Sequence, residues 1–263
     1  MNAATNDTPA RLRVFITGAS SGIGLALAEE YLRRGAVLGL VARRGDTLAA
    51  FAARFPSASI SIYPADVRDA AALAAAAVDF CALHGGADVV IANAGISRGA
   101  LTGHGDLDAF REVMDTNYFG MIATFEPFVA RMVAGRRGTL VGIASVAGVR
   151  GLPGSGAYSA SKSAALKYLE ALRVEMRPMG VSVVTIAPGY IRTEMTRRNP
   201  YPMPFLMDAD VFARKTADAI GKKTRFATFP WQMRVAGALL HVVPRWLYDR
   251  AMEKAPRKPR AGE

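Results

Sequence analysis

The chain has 263 residues, 51% of them hydrophobic and 21% charged, and carries a net charge of +11. That size and balance describe one large globular α/β domain or two small ones and exclude a disordered or fibrous chain. The single cysteine, Cys81, excludes an internal disulfide and suits a reducing, cytoplasmic compartment; the histidines His84, His104 and His241 share no metal-ligand spacing, so no metal is expected.

The first ten residues, MNAATNDTPA, have neither the basic nor the apolar region of a signal peptide and read as a disordered leader. RLRVFITG is a short apolar run ending in glycine, the pattern of a buried strand. GIGLALAEEYLRRG then has helical spacing and a glycine stop at Gly35. AVLGLVAR is a second strand, GDTLAAFAARF a second helix and ASISIYPAD a third strand. An Ala-rich helix, DAAALAAAAVDFCALHG, precedes a fourth strand, ADVVIANAG. One long helix is expected from about Asp106 to Ala134, then a fifth strand, GTLVGIAS. A helix containing Tyr158 runs to about Met179, and VSVVTIAPG is a sixth strand. A short helix near Asp208 to Ile220 and a last strand, RFATFP, complete the alternation. This order predicts one doubly wound, mostly parallel sheet flanked by helices, a Rossmann-like domain over residues 11–230, with a helical, basic extension over 231–263.

Between the first strand and first helix lies TGASSGIG, with Gly18, Gly22 and Gly24 around Ser20, Ser21 and Ile23. Glycines here permit a tight turn and close backbone approach to a pyrophosphate, which would sit on the free N–H groups of the helix. The spacing differs from the commoner G-x-G-x-x-G, and an ordinary glycine-rich turn is the plainer reading of such a loop taken alone. At the end of the second strand Ala42 stands where an NAD site places an acid, followed by Arg43 and Arg44. A guanidinium suits a ribose 2′-phosphate, which points to NADP(H); a solvated basic turn is the alternative. In GSGAYSASKSAAL, Tyr158 and Lys162 fall four residues apart, on one helix face among small residues.

TGASSGIG, NAG at 93–95, Asn117 in DTNYFG, Ser145 in IAS, YSASK and PGYIRT occur in this order from about Arg11 to Phe229. The chain resembles the short-chain dehydrogenase/reductase family. The resemblance implies a catalytic set of Ser145, Tyr158 and Lys162, with Asn117 as fourth member holding a water that connects Lys162 to solvent. It implies that Asp66 and Val67 meet the adenine. It further implies that Asn93, Ala94 and Gly95 border the cofactor, with Pro188, Gly189 and Thr193 near its carboxamide. Asp66 also reads as the N-cap of the third helix. In such a site Tyr158 would be the general acid or base, Ser145 would orient the carbonyl oxygen, and Lys162 would favour the phenolate and hold the nicotinamide ribose.

RTEMTRRNPYPMPFLMDAD breaks the strand–helix rhythm. Its Met195, Tyr201, Met203, Phe205, Leu206 and Met207 would make an adaptable apolar cover over a lipophilic ketone, aldehyde or alcohol; simple packing on the domain is the other reading. From Arg192 onward 15 Lys and Arg face 7 Asp and Glu, a net of +8, which leaves +3 for the first 191 residues. Such asymmetry marks an acidic partner or a solvated basic face; nucleic acid is not expected. Trp231, Val235, Leu239, Val242 and Val243 fall near helical spacing, followed by Trp246 and Leu247. This tail would pack on the domain or on a second subunit of a homodimer or homotetramer, or else lie on an anionic membrane; packing is the preferred reading. The favoured function is an NADPH-dependent carbonyl reductase or alcohol dehydrogenase. A non-catalytic, redox-responsive dinucleotide-binding regulator is the alternative.

Overall fold

The computed structural model describes residues 11–260 apart from residues 198, 200, 256 and 259, so the expected leader lies outside the described residues. The chain runs β1 (Arg13–Thr17), α1 (Gly22–Arg33), β2 (Val37–Ala42), α2 (Gly45–Ala53), β3 (Ile60–Pro64), α3 (Ala70–His84) and β4 (Val89–Ala92). It continues through α4 (Leu107–Met114), α5 (Gly120–Ala134), β5 (Thr139–Ile143), α6 (Gly156–Met176) and β6 (Ser182–Ile186). The short pieces β7 (Ile191–Arg192), α7 (Glu194–Arg197) and β8 (Met207–Asp208) precede α8 (Ala209–Gly221), β9 (Phe226–Ala227), α9 (Trp231–Val242) and α10 (Arg245–Met252).

Seven strands form one parallel sheet in the order β3-β2-β1-β4-β5-β6-β9, helices cover both faces, and the fold is the expected Rossmann-like one. Central strands buried on both faces read as unbroken apolar runs, and every residue of β2, β4 and β5 is buried. One core joins Ile16, Leu38 and Val184 to Leu27 and Tyr31 of α1 and Phe212 of α8. The other joins Phe15 and Val90 to Phe80 of α3, Phe125 and Phe128 of α5, and Leu169 of α6. Strand order reverses between β1 and β4, so a crevice opens past their carboxyl ends.

Two expectations are corrected. The long helix is broken by a π-helical turn at Asp115–Phe119, which buries Thr116 and Asn117. Periodicity cannot register one extra residue per turn when apolar positions continue on both sides. The N-cap of α3 is Asp69, whose carboxylate accepts from the Ala72 N–H at 2.9 Å, while Asp66 binds Arg68 at 2.6 and 3.0 Å.

The C-terminal extension is clamped against the segment that follows β5. Arg150 donates to the Leu240 and Val243 carbonyls, each 3.0 Å away, and lies 4.2 Å above the Tyr248 ring. The Tyr248 hydroxyl donates to the Gly151 carbonyl at 2.5 Å. Past α10 the chain returns over Gly154, and Arg260 grips the Asp106 carboxylate at 2.9 and 3.0 Å.

Candidate active site

The glycine loop leaves β1 and enters α1 at an end that no side chain caps: Ser21 stands at the N-cap without a side-chain bond, and the first turn holds no acid. An uncapped helix end with free N–H groups is a seat for an anion. The loop's glycines have separate reasons. Gly18 sits at φ +69, where a β-carbon would also stand 2.7 Å from the Ala94 Cα. A β-carbon on Gly24 would lie 2.2 Å from the Gly18 carbonyl oxygen. Gly22 faces Thr193, whose methyl carbon would be 3.3 Å from such an atom. Thus Thr193, far along the chain, is brought to the loop.

Asn93 ties β4 to the same loop. Its amide donates to the carbonyls of Thr17 at 3.0 Å and Gly18 at 3.2 Å, and its own N–H donates to the Thr17 hydroxyl at 3.2 Å. Ala94 makes a longer bond to that hydroxyl, 3.4 Å. Gly95 comes next, and a β-carbon there would stand 3.2 Å from Asn117 Oδ1 and 3.5 Å from Lys162 Nζ. Val67 is buried against Gly120 of α5. Asp66 carries Arg68 on one side and Arg43 at 3.9 Å on the other, and these guanidinium partners hold its carboxyl below the usual range. Arg43 is 62% exposed. Arg44 reaches the loop instead, donating to the Ser20 hydroxyl at 3.2 Å.

Ser145 follows β5 and caps a short 3₁₀ turn, Val146–Gly148, accepting from the Ala147 N–H at 3.1 Å. Pro188, past β6, ties in by accepting from the Val146 N–H at 3.0 Å. Tyr158 lies in the first turn of α6, half-buried. Burial pushes its phenol up, and a hydrogen bond with Ser145 pulls the other way. Lys162 is one turn on and 4% exposed. Its ammonium donates to the Ile143 carbonyl at 2.8 Å and lies 5.9 Å from the centre of the Tyr158 ring. Burial draws its amine down to about 8.

Asn117 is fully buried in the π-helical turn. Its Oδ1 accepts from the Ile96 N–H at 2.7 Å, and its Nδ2 donates to the Ile96 carbonyl and to the Ser161 hydroxyl, each at 2.9 Å. The Ser161 hydroxyl in turn donates to the Tyr158 carbonyl at 2.8 Å. The π-helical turn therefore braces the loop after β4 and the helix that carries Tyr158.

The glycine loop, Ser145, Tyr158 and Lys162 all fall within one stretch of chain that is matched by a family model. A model of the short chain dehydrogenases matches residues 13–202. An uncharacterized oxidoreductase of Myxococcus xanthus is 37% identical over 91% of this chain and 95% of its own length. The chain belongs to the short-chain dehydrogenase family. It is an oxidoreductase of that family, and solved family structures have the same architecture. A short-chain dehydrogenase from Sphingobium yanoikuyae in complex with NADPH is 26% identical, covers 95% of this chain and 99% of that chain, and has a TM-score of 0.78. One from Burkholderia phymatum in complex with NAD is 23% identical, covers 95% and 98%, and has a TM-score of 0.81.

Two features of this family member, Tyr190 and the contact of Met233 with Gly189, were not legible in the sequence. Tyr190, just after β6, lies close to Tyr201, which the sequence places in the apolar cover and which is itself near Tyr158. Met195 and Phe205 of the same cover are exposed. Gly189 is pressed by the tail, since a β-carbon there would stand 2.4 Å from Met233 of α9. No local signal announces a contact between a helix of the extension and a turn more than forty residues earlier.

Proposed function

We propose that the chain is an NADPH-dependent oxidoreductase that reduces a lipophilic ketone or aldehyde, or oxidises the matching alcohol. The observation that carries this reading is the placement of the Ser145 hydroxyl against the Tyr158 phenol, one helical turn from a buried Lys162 that pairs with no carboxylate among the described residues. Gly18, Gly22, Gly24 and the amino end of α1 would hold the pyrophosphate; Asn93, Ala94, Gly95, Lys162, Pro188, Gly189 and Thr193 would border the nicotinamide half. The residues fit such a group because the helix end is uncapped and the loop tolerates no side chain at Gly24. Arg43 and Arg44 would meet a 2′-phosphate, and no acid stands at Ala42 to repel it. When bound, the dinucleotide supplies a hydride for the carbonyl carbon.

The protein's own part is the proton and the oxygen. Ser145 donates a hydrogen bond to the substrate oxygen and orients it. Burial keeps Tyr158 protonated, so it enters reduction as an acid and gives its proton to that oxygen. The phenolate left behind is favoured by the Lys162 ammonium, whose own proton is loosely held. Asn117 and the Ile96 carbonyl would then lead a proton inward to Lys162. Tyr190, Tyr201 and the methionines of the following loop favour an apolar substrate.

The test is NADPH consumption with a panel of hydrophobic ketones and aldehydes, started from small molecules that co-purify with the protein. Turnover with some of them, faster with NADPH than with NADH, is the expected result. NADPH binding without turnover of any would favour the non-catalytic regulator.

A further inference from the structure

The extension is apolar on two sides. Inward, Gly237 of α9 is buried, and Met233 presses on Gly189. Outward, Trp231, Val235, Leu239 and Val242 are exposed by 68%, 49%, 60% and 72%, and their spacing puts them on one stripe of the helix. Trp246 and Leu247 of α10 continue the exposed surface at 70% and 43%. The fold buries the inner side of α9 and leaves the outer apolar stripe without a cover among the described residues.

Charge selects the occupant. Arg234, Arg245, Arg250 and Lys254 are exposed beside this stripe, with only Asp249 and Glu253 of opposite sign on the two helices and the turn after them. None of the four cations makes an ion pair among the described residues. Two copies packed through this face would bring like charges together. An anionic bilayer satisfies both the cations and the apolar stripe, and indole rings favour the boundary between headgroups and acyl chains. No described helix is long and apolar enough to cross a membrane, so the contact would lie in the plane of the surface.

We infer that the outer face of α9 and α10 docks on an anionic lipid surface. The inference is independent of the catalytic reading, because no residue of the docking face belongs to the candidate active site.

The chain's two tryptophans both lie on this face, so intrinsic fluorescence reports on it directly. The full chain should co-sediment with vesicles of phosphatidylcholine and phosphatidylglycerol in roughly equal parts, with a blue-shifted emission, and less with phosphatidylcholine alone. Binding should fade in about 1 M salt, where the Debye length is about 3 Å. The variant combining Trp231→Ser, Leu239→Ser and Trp246→Ser changes exposed side chains only. It should keep the wild-type Tm and bind such vesicles roughly a hundredfold more weakly. Arg234→Gln with Arg245→Gln and Arg250→Gln should erase the preference for anionic lipid. Failure of the full chain to bind vesicles would overturn the inference, as would unchanged binding by the serine variant. So would a wild-type dimer, indifferent to lipid, that the serine variant converts to a monomer.

Discussion

Lys162 donates to the Ile143 carbonyl oxygen at 2.8 Å from a side chain that is 4% exposed, with no carboxylate among its described partners. The ammonium therefore sits on the sheet edge at a cost in desolvation, and the cost has a pH signature.

Burial lowers the Lys162 amine from 10.5 to about 8. Below about 8 both folded and unfolded chains are charged and the full penalty stands. Between about 8 and 10.5 the folded protein holds fewer protons, so stability from this group rises with pH. Lys162→Met has no such term. Urea denaturation across that window should show wild type gaining on the variant by on the order of 3 kcal/mol, other groups cancelling in the difference. A pH-independent difference would refute the assignment. Turnover by the variant should be lost at every pH.

Tyr158→Phe keeps the ring and removes the proton. On the catalytic reading kcat falls by about 10²–10⁴-fold while NADPH affinity holds. Stopped-flow reduction with fluorescence titration separates the two, and a near-wild-type kcat would rule out Tyr158 as the acid.

Arg43 and Arg44 flank the end of β2 with different partners, Asp66 and Ser20. Replacing either by Ala should weaken NADPH binding about tenfold or more and leave NADH nearly unchanged, since a charge-assisted contact contributes roughly 1.5–3 kcal/mol. Equal losses for both cofactors in Arg44→Ala would mean that Arg44 serves the loop through Ser20 instead.

Gly24→Ala puts a carbon 2.2 Å from the Gly18 carbonyl oxygen and 2.5 Å from Asn93 Nδ2. The loop must shift, which should cost about 1–3 kcal/mol of stability and most of the dinucleotide affinity. Calorimetry with and without NADPH would read both; a variant that keeps wild-type Tm and affinity would show that the loop is slack.

Asp106 accepts from Arg260, and that guanidinium holds the carboxyl down to about 2. Asp106→Ala should release the C-terminal strap while the domain stays folded. Limited trypsin digestion should then cut after Lys254 several-fold faster than in wild type. Cleavage at the wild-type rate would place the restraint elsewhere, in the Tyr248–Gly151 and Arg150 contacts.

The order of strands and helices, the parallel sheet and the glycine loop were legible in the chain. Strands buried on both faces need continuous apolar runs such as VLGLVA, and a backbone at positive φ or in contact with another backbone needs glycine. Tyr158 and Lys162 were legible as a pair because helical periodicity alone puts residues four apart on one face. The π-helical turn at Asn117 was not, since its cause is the bond network to Ile96 and Ser161, 21 and 44 residues away in sequence. The burial of Lys162 likewise depends on the 3₁₀ turn after Ser145 and on the sheet edge at Ile143, which meet only when β5 and α6 pack. Met233 on Gly189 and Arg260 on Asp106 are also contacts between distant segments. Local spacing records which face a residue occupies. Which other segment covers that face is decided by chain closure in three dimensions, and here that decision shaped the candidate substrate side.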